Sequence, residues 1–178
     1  MRRIQVRIDR AEDGNFGDCE LVGEGVSEMR IHYGPGYRVY FVQRGIEMVI
    51  LLAGGTKSTQ SKDIKTALEI AQQIQEVKMG TIKLRKWDSA EYLKTDEDIV
   101  LYLEACLEEA GDDAAFIAKA LGTMARAKGM TQLAKETGLG RESLYKALSG
   151  EGNPSFATIL KVMSALGIKL HAEIAHTA

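Results

Sequence analysis

Two groups of side chains in this sequence have the types and spacing for chemistry. The first is Arg30, His32, Arg38, Tyr40 and Lys57. Guanidinium and ammonium groups can hold an RNA backbone and stabilise a developing phosphorane, and a histidine or tyrosine can move a proton. The same five residues equally suit a solvated sheet face with cross-strand pairs, and residue type alone does not choose between the two. The second group is Arg141, Glu142, Ser143, Tyr145 and Lys146. On the outer face of a short helix, these polar ends are those a major groove accepts. Thr131, Gln132 and Asn153 lie where side-chain donors and helix N-termini could hold phosphates. An ordinary helical hairpin with a polar face is the plainer alternative.

Other chemistries find little support. Cys19 and Cys106 are the two cysteines, which gives neither a disulfide framework nor a zinc cluster. His32, His171 and His176 are too scattered for a metal site, so no metal and no cofactor is expected. The glycine-rich stretch Gly54-Gly55-Thr56-Lys57 is not a Walker A loop, because Thr56 separates Gly55 from Lys57 and no helix-opening Gly-Lys-Ser follows.

Around the first group the pattern predicts strands at Val26–Tyr33, Tyr37–Arg44 and Ile46–Ala53, after a helix end over 1–11 and a loop from Glu12 to Cys19. Gly34-Pro35-Gly36 reads as a three-residue hairpin loop. Opposing Tyr33 to Tyr37 then sets Ile31 against Val39 and Met29 against Phe41 on one apolar face, with Met48, Ile50 and Leu52 joining it. The other face would pair His32 with Arg38 and Arg30 with Tyr40. A helix from about Lys62 to Lys78 presents Ile64, Leu68, Ala71 and Ile74 to the apolar face.

Around the second group, Thr131 reads as an N-cap, Leu133 and Ala134 face inward, and Gly138 supplies the positive φ that ends the helix. Leu139 plugs the turn, and a second helix from about Arg141 buries Leu144, Ala147 and Leu148. That is the pattern of a helix-turn-helix. Upstream, Asp96 opens a helix with Ile99, Leu101, Leu103 and Leu107, and Asp112 or Asp113 caps another that runs to Lys128 through Phe116, Ile117, Ala120, Leu121 and Met124. Downstream, Gly152-Asn153-Pro154-Ser155 is a turn and cap before a helix whose core stripe is Phe156, Ile159, Leu160, Val162, Met163 and Leu166. Leu170–Ile174 alternates like a short strand.

Hydrophobic residues make up 45% and charged residues 27% of the 178, as in a globular protein with room for one or two small cores. No apolar run approaches the roughly 20 residues that span a bilayer, and a cytoplasmic protein without membrane contact is expected. The net charge of −2 is uneven. Residues 1–78 carry 11 basic and 11 acidic side chains, 79–113 carry 4 and 10, and 114–178 carry 8 and 4. A basic C-terminal module thus follows an acidic segment, which could face Arg30, His32, Arg38 and Lys57 or stay solvated.

Residues 131–167 resemble the Xre-type helix-turn-helix domain, above all the antitoxin branch found beside small toxins of the RelE/HigB kind. Residues 18–75, through Gly23-Glu24-Gly25-Val26, Arg30-Ile31, Gly34-Pro35-Gly36-Tyr37-Arg38-Val39-Tyr40-Phe41 and Gly54-Gly55-Thr56-Lys57-Ser58-Thr59-Gln60, resemble the phage-derived branch of those toxins. By that resemblance Arg30, Arg38 and Lys57 match the basic positions that grip mRNA in ribosome-dependent interferases, and His32 and Tyr40 are carried over with them. Met79-Gly80-Thr81-Ile82-Lys83-Leu84-Arg85-Lys86-Trp87-Asp88 resembles the start of a separate antitoxin.

The resemblance therefore implies an α+β protein in two parts. Residues 1–78 form a truncated RelE/HigB-like toxin domain that begins inside the second helix of the family pattern, a small antiparallel sheet with a covering helix. Residues 79–178 form a HigA-like antitoxin domain, an all-α bundle with its helix-turn-helix at about 114–168. The implied function is binding of operator DNA and transcriptional autoregulation as a homodimer, with an inactive toxin-like half. The alternative is an mRNA endonuclease, acting at the ribosome and held in check by an intramolecular toxin–antitoxin contact. A protein-binding module without DNA is a third reading.

Overall fold

The apolar-rich stretches on either side of Gly34-Pro35-Gly36 do form paired strands, and they are the centre of an antiparallel sheet. The computed structural model describes residues 2–45, 48–76, 84–171 and 174. Its elements sort into two units, Arg3–Trp87 and Asp88–Ala178, and the chain is α+β. The domain boundary expected at 78/79 and the first residues of the expected antitoxin, Met79 to Lys83, lie outside the described residues.

The first unit holds α1 (Arg2–Glu12), β1 (Cys19–Gly23), β2 (Val26–Ile31), β3 (Tyr37–Arg44), β4 (Met48–Thr56) and α2 (Gln60–Glu76), with the strands in the order β1-β2-β3-β4. Three expectations need correction. Cys19 belongs to a strand, not a loop; β1 is an edge strand exposed at Cys19, Glu20 and Leu21, so it carries no alternation to read. The β2–β3 register puts Ile31 opposite Tyr37, Met29 opposite Val39, Arg30 opposite Arg38 and Glu28 opposite Tyr40. The loop is therefore two residues longer than Gly34-Pro35-Gly36, since Tyr33 and His32 stay outside the ladder. A two-residue slip preserves the faces, because side chains alternate with period two.

The third correction concerns what covers them. Met29, Ile31, Val39 and Phe41 cluster with Ala11, Ile4, Phe16, Val49 and Leu51, on the α1 side; Phe16 stacks on Phe41 with ring centroids 5.1 Å apart. Val26, Tyr40, Val42 and Ile50 instead pack under Ala67, Ala71 and Ile74 of α2, joined by Leu52, Ile64 and Leu68. So α2 covers the face expected to carry the cations, and Ile50 and Leu52 belong to that face. A bulge at Leu52, between the pairs Tyr40–Ala53 and Phe41–Leu51, resets the β4 alternation. The start of the expected third strand, Ile46–Glu47, and the last residues of the expected helix, Val77 and Lys78, lie outside the described residues.

The second unit holds α3 (Asp96–Ala110), α4 (Ala114–Lys128), α5 (Met130–Thr137), α6 (Arg141–Ala147) and α7 (Phe156–Ala165). Its caps follow from sequence. Thr95 accepts from the Asp98 amide, Asp113 from Phe116 and Ser155 from Thr158. The core gathers Ile99, Tyr102, Leu103, Cys106, Phe116, Leu121, Met124, Leu133, Leu144, Leu148, Val162, Met163 and Leu166. Leu101 and Leu107 of α3, and Phe156 and Leu160 of α7, were expected inside and are exposed. In both helices the buried stripe is narrower than the run of apolar residues. Of the expected terminal strand, Ala172 and Glu173 lie outside the described residues, and Leu170, His171 and Ile174 form none. No helix among the described residues is long and apolar enough to cross a membrane.

Candidate functional site

The cation cluster of the sheet unit is organised by a residue that the spacing argument passed over. Glu28 sits mid-strand in β2 on the face covered by α2 and is fully buried. Arg30 Nε donates to its Oε1 at 2.9 Å, while the Tyr40 hydroxyl and Gln60 Nε2 donate to its Oε2, each at 2.9 Å. Arg38 Nε stands 3.4 Å from Oε1 and its Nη1 donates to the Gly36 carbonyl at 3.1 Å. Burial pushes the Glu28 carboxyl up, but the bonds from Arg30, Tyr40 and Gln60 and the charge of Arg38 outweigh it and hold the carboxyl below its ordinary range. Burial, and then the bond to Glu28, push the Tyr40 hydroxyl well above its ordinary range.

Arg30 and Arg38 are direct cross-strand neighbours, an arrangement that repels unless an anion lies between them. Glu28 is that anion. At the outer end Arg30 also pairs with Glu20 and stands 3.8 Å from Asp18, whose other oxygen lies 2.6 Å from His32 Nε2. Lys57 is exposed at the end of β4, in a turn of 3-10 helix over Lys57–Thr59, and its backbone amide shares the Gly36 carbonyl with Arg38. The structure therefore brings Arg30, Arg38 and Tyr40 together on one carboxylate, sets His32 beside Asp18, and leaves Lys57 at the rim. The open face expected for Tyr40 is a correction: with no exposed surface, its hydroxyl meets Glu28 instead of solvent. Glu28 was legible as an acidic residue two positions from both Val26 and Arg30, hence on their face; Gln60 carried no comparable signal.

The second candidate site is the α5–α6 pair. Gly129 (φ 103°), not Thr131, is the N-cap of α5, and Thr131 lies exposed in its first turn. Gly138 closes α5 in the left-handed conformation at φ 68°. The Thr137 hydroxyl donates to the Leu133 carbonyl at 2.8 Å, which tightens the last turn. Leu144 and Leu148 are buried and fix α6 to the unit; the backbone of Leu148 crosses α4 at Gly122 so closely that a methyl there would stand 2.5 Å from the Leu148 carbonyl oxygen. Arg141, Glu142, Ser143, Tyr145 and Lys146 are all exposed. Gln132 is exposed too, with its amide donating to Glu136 at 2.6 Å, and Asn153 is exposed in the turn before α7. Thus one short helix, held by two leucines, offers five polar side chains to solvent.

Comparison with known proteins bears on the second half of the chain first. Residues 83–174 match the model of a family described as probable addiction module antidote protein. Two proteins of Haemophilus influenzae (strain ATCC 51907 / DSM 11121 / KW20 / Rd), both described as uncharacterized, are similar to the chain. One is 48% identical over 93 residues, which is 52% of this chain and 94% of the relative. The other is 51% identical over 72 residues, 40% of this chain and 73% of the relative. No solved structure matches.

Proposed function

We propose, for a chain that belongs to the family of probable addiction module antidote proteins, that it binds the operator of its own toxin–antitoxin module and represses it. In this reading the α5–α6 pair is an Xre-type helix-turn-helix with α6 as the recognition helix. The observation that carries it is the division of α6: Leu144 fully buried, and Arg141, Glu142, Ser143, Tyr145 and Lys146 exposed after the left-handed turn at Gly138. Arg141, Ser143, Tyr145 and Lys146 reach base edges or phosphates, while Thr131, Gln132 and Asn153 hold the backbone. The net charge of +4 over residues 114–178 favours a polyanion. Two such helices related by a dyad match half-sites about 34 Å apart, so the binding form is a homodimer. The exposed Phe156 and Leu160 of α7 suit a contact between copies.

The sheet unit, residues 1–78 in the two-part reading, is on this proposal a RelE/HigB-like domain without nuclease activity. Arg30, Arg38 and Tyr40 are engaged with Glu28, and His32 with Asp18, which leaves Lys57 as the one member of the group at the rim. The decisive experiment is a mobility-shift assay on the DNA upstream of the reading frame. Arg141→Ala and Lys146→Ala should each cost about 1–3 kcal/mol of operator affinity, the base-reading change also relaxing specificity. Unchanged affinity in the double variant would overturn the groove assignment.

A further inference from the structure

The stretch that matches the antidote family begins at residue 83, yet its first described residues, Leu84–Trp87, sort with the sheet unit. This arm has no regular secondary structure. Its indole N–H, on Trp87, donates to Asp9 Oδ1 at 3.2 Å, and Lys86 Nζ stands 4.0 Å from Glu12 Oε1. Asp9 and Glu12 are three residues apart and so share one side of α1. Residue numbers rise along the arm as they fall along α1, so the arm runs antiparallel to the helix. Asp9 is 8% exposed, and a carboxylate that deep needs donors, of which Trp87 supplies one. The half-buried indole offers a flat apolar body with a single donor, and that donor is taken up by Asp9.

We propose that Leu84–Trp87 is a docking peptide and that α1 of the sheet domain is its receptor. Trp87 is the anchor, Asp9 the acceptor that fixes register, and the Lys86–Glu12 pair sets direction. The identity of the two partners, an antidote sequence and a RelE/HigB-like domain, rests on the reading above; the contact itself does not. The α1 surface is thus a site for the beginning of an antidote chain, here supplied by the same polypeptide.

Trp87 is the single tryptophan, so the emission of the full-length protein reports the arm directly. The unaltered protein should emit on the blue side and resist acrylamide. Asp9→Ala should shift emission to the red and raise the quenching constant severalfold, whereas Asp9→Asn, which keeps an acceptor oxygen, should stay near the original. Unchanged quenching in Asp9→Ala with circular dichroism intact would overturn the proposal. Should Asp9→Ala lose helix content, Lys86→Glu tests the same contact from the exposed side. It places like charges together, should raise quenching, and should be rescued by Glu12→Lys in the double variant; no rise, or no rescue, overturns the docking. Arg141→Ala should leave Trp87 emission unchanged, so failure of the DNA reading and failure of the docking are seen separately.

Discussion

Glu28→Gln should destabilise the sheet unit out of proportion to the size of the change. The buried carboxylate accepts from Arg30 through one oxygen and from Tyr40 and Gln60 through the other. A glutamine must point its NH2 at one of these donor sets, so at least one bond is replaced by an opposition of donors. Arg38, whose side chain is only 11% exposed, also loses its counter-ion. Breaking one side of a buried charged pair costs about 3–5 kcal/mol, and the lower end applies here because Arg30 keeps Glu20 and Asp18. For a unit of this size about 3 kcal/mol is a fall of roughly 12–24 °C in Tm. Thermal and urea unfolding followed by Trp87 fluorescence read that unit, since the tryptophan sorts with it. The acid limb gives a second readout. The folded Glu28 carboxyl titrates below its ordinary value of 4.5, so its stabilisation is complete above that pH and is lost as pH falls through the folded value. The variant should therefore lose less stability than the original between neutral pH and the region below 4.5. Glu20→Gln, at the exposed end of the same network, should melt near the original. A Glu28→Gln protein within about 1 kcal/mol of the original, with an unchanged acid limb, would refute the buried-network argument.

Gly122→Ala places a methyl 2.5 Å from the Leu148 carbonyl oxygen, so α4 and the end of α6 must separate; a loss of about 1–3 kcal/mol is expected in far-UV melts, and an unchanged or raised Tm would show that the crossing tolerates width. Ser155→Ala removes the bond accepted from the Thr158 amide at 3.2 Å and should cost about 1 kcal/mol, with Ser155→Asp recovering most of it; equal melts for the two variants would exclude capping as the cause.

What the sequence disclosed follows the strength of its periodicities. Residues 37–44 carry the apolar run Val39-Tyr40-Phe41-Val42 between a glycine-bounded turn and Gly45, and β3 has the bounds that this pattern predicts; Val26–Ile31 is shorter than predicted, because Tyr33 looks like a hairpin partner when the loop in fact takes His32 and Tyr33. β1 escaped because an edge strand with Cys19, Glu20 and Leu21 exposed has no buried side to announce it. Which helix covers which face is a long-range matter. Ile64 and Leu68 fit either side of the sheet, and only tertiary packing assigns them to Tyr40 rather than to Phe41. That one misassignment turned a closed, carboxylate-centred cluster into an open cationic face. In the helical unit the turn at Gly138 and the polar side of α6 were legible from spacing alone. The exposure of Phe156 and Leu160 was not, since a hydrophobic stripe does not say how much of itself a neighbour will cover.

One glycine joins α4 to α5. Gly129 donates to the carbonyls of Ala125 and Arg126 as the end of one helix and serves as the N-cap of the next, at φ 103° and ψ 103°. There is no slack at that corner. An added residue would break that shared cap and displace the start of α5, whose Leu133 is buried in the core. The stretch from Ser149 to Ser155 is different: outside any helix and exposed or half-exposed throughout, it is where added length is absorbed locally. Among descendants of this sequence, length variation should therefore collect between α6 and α7 and be absent between α4 and α5. The corner at Gly129 is a place where evolution can change letters on either side but cannot change their number.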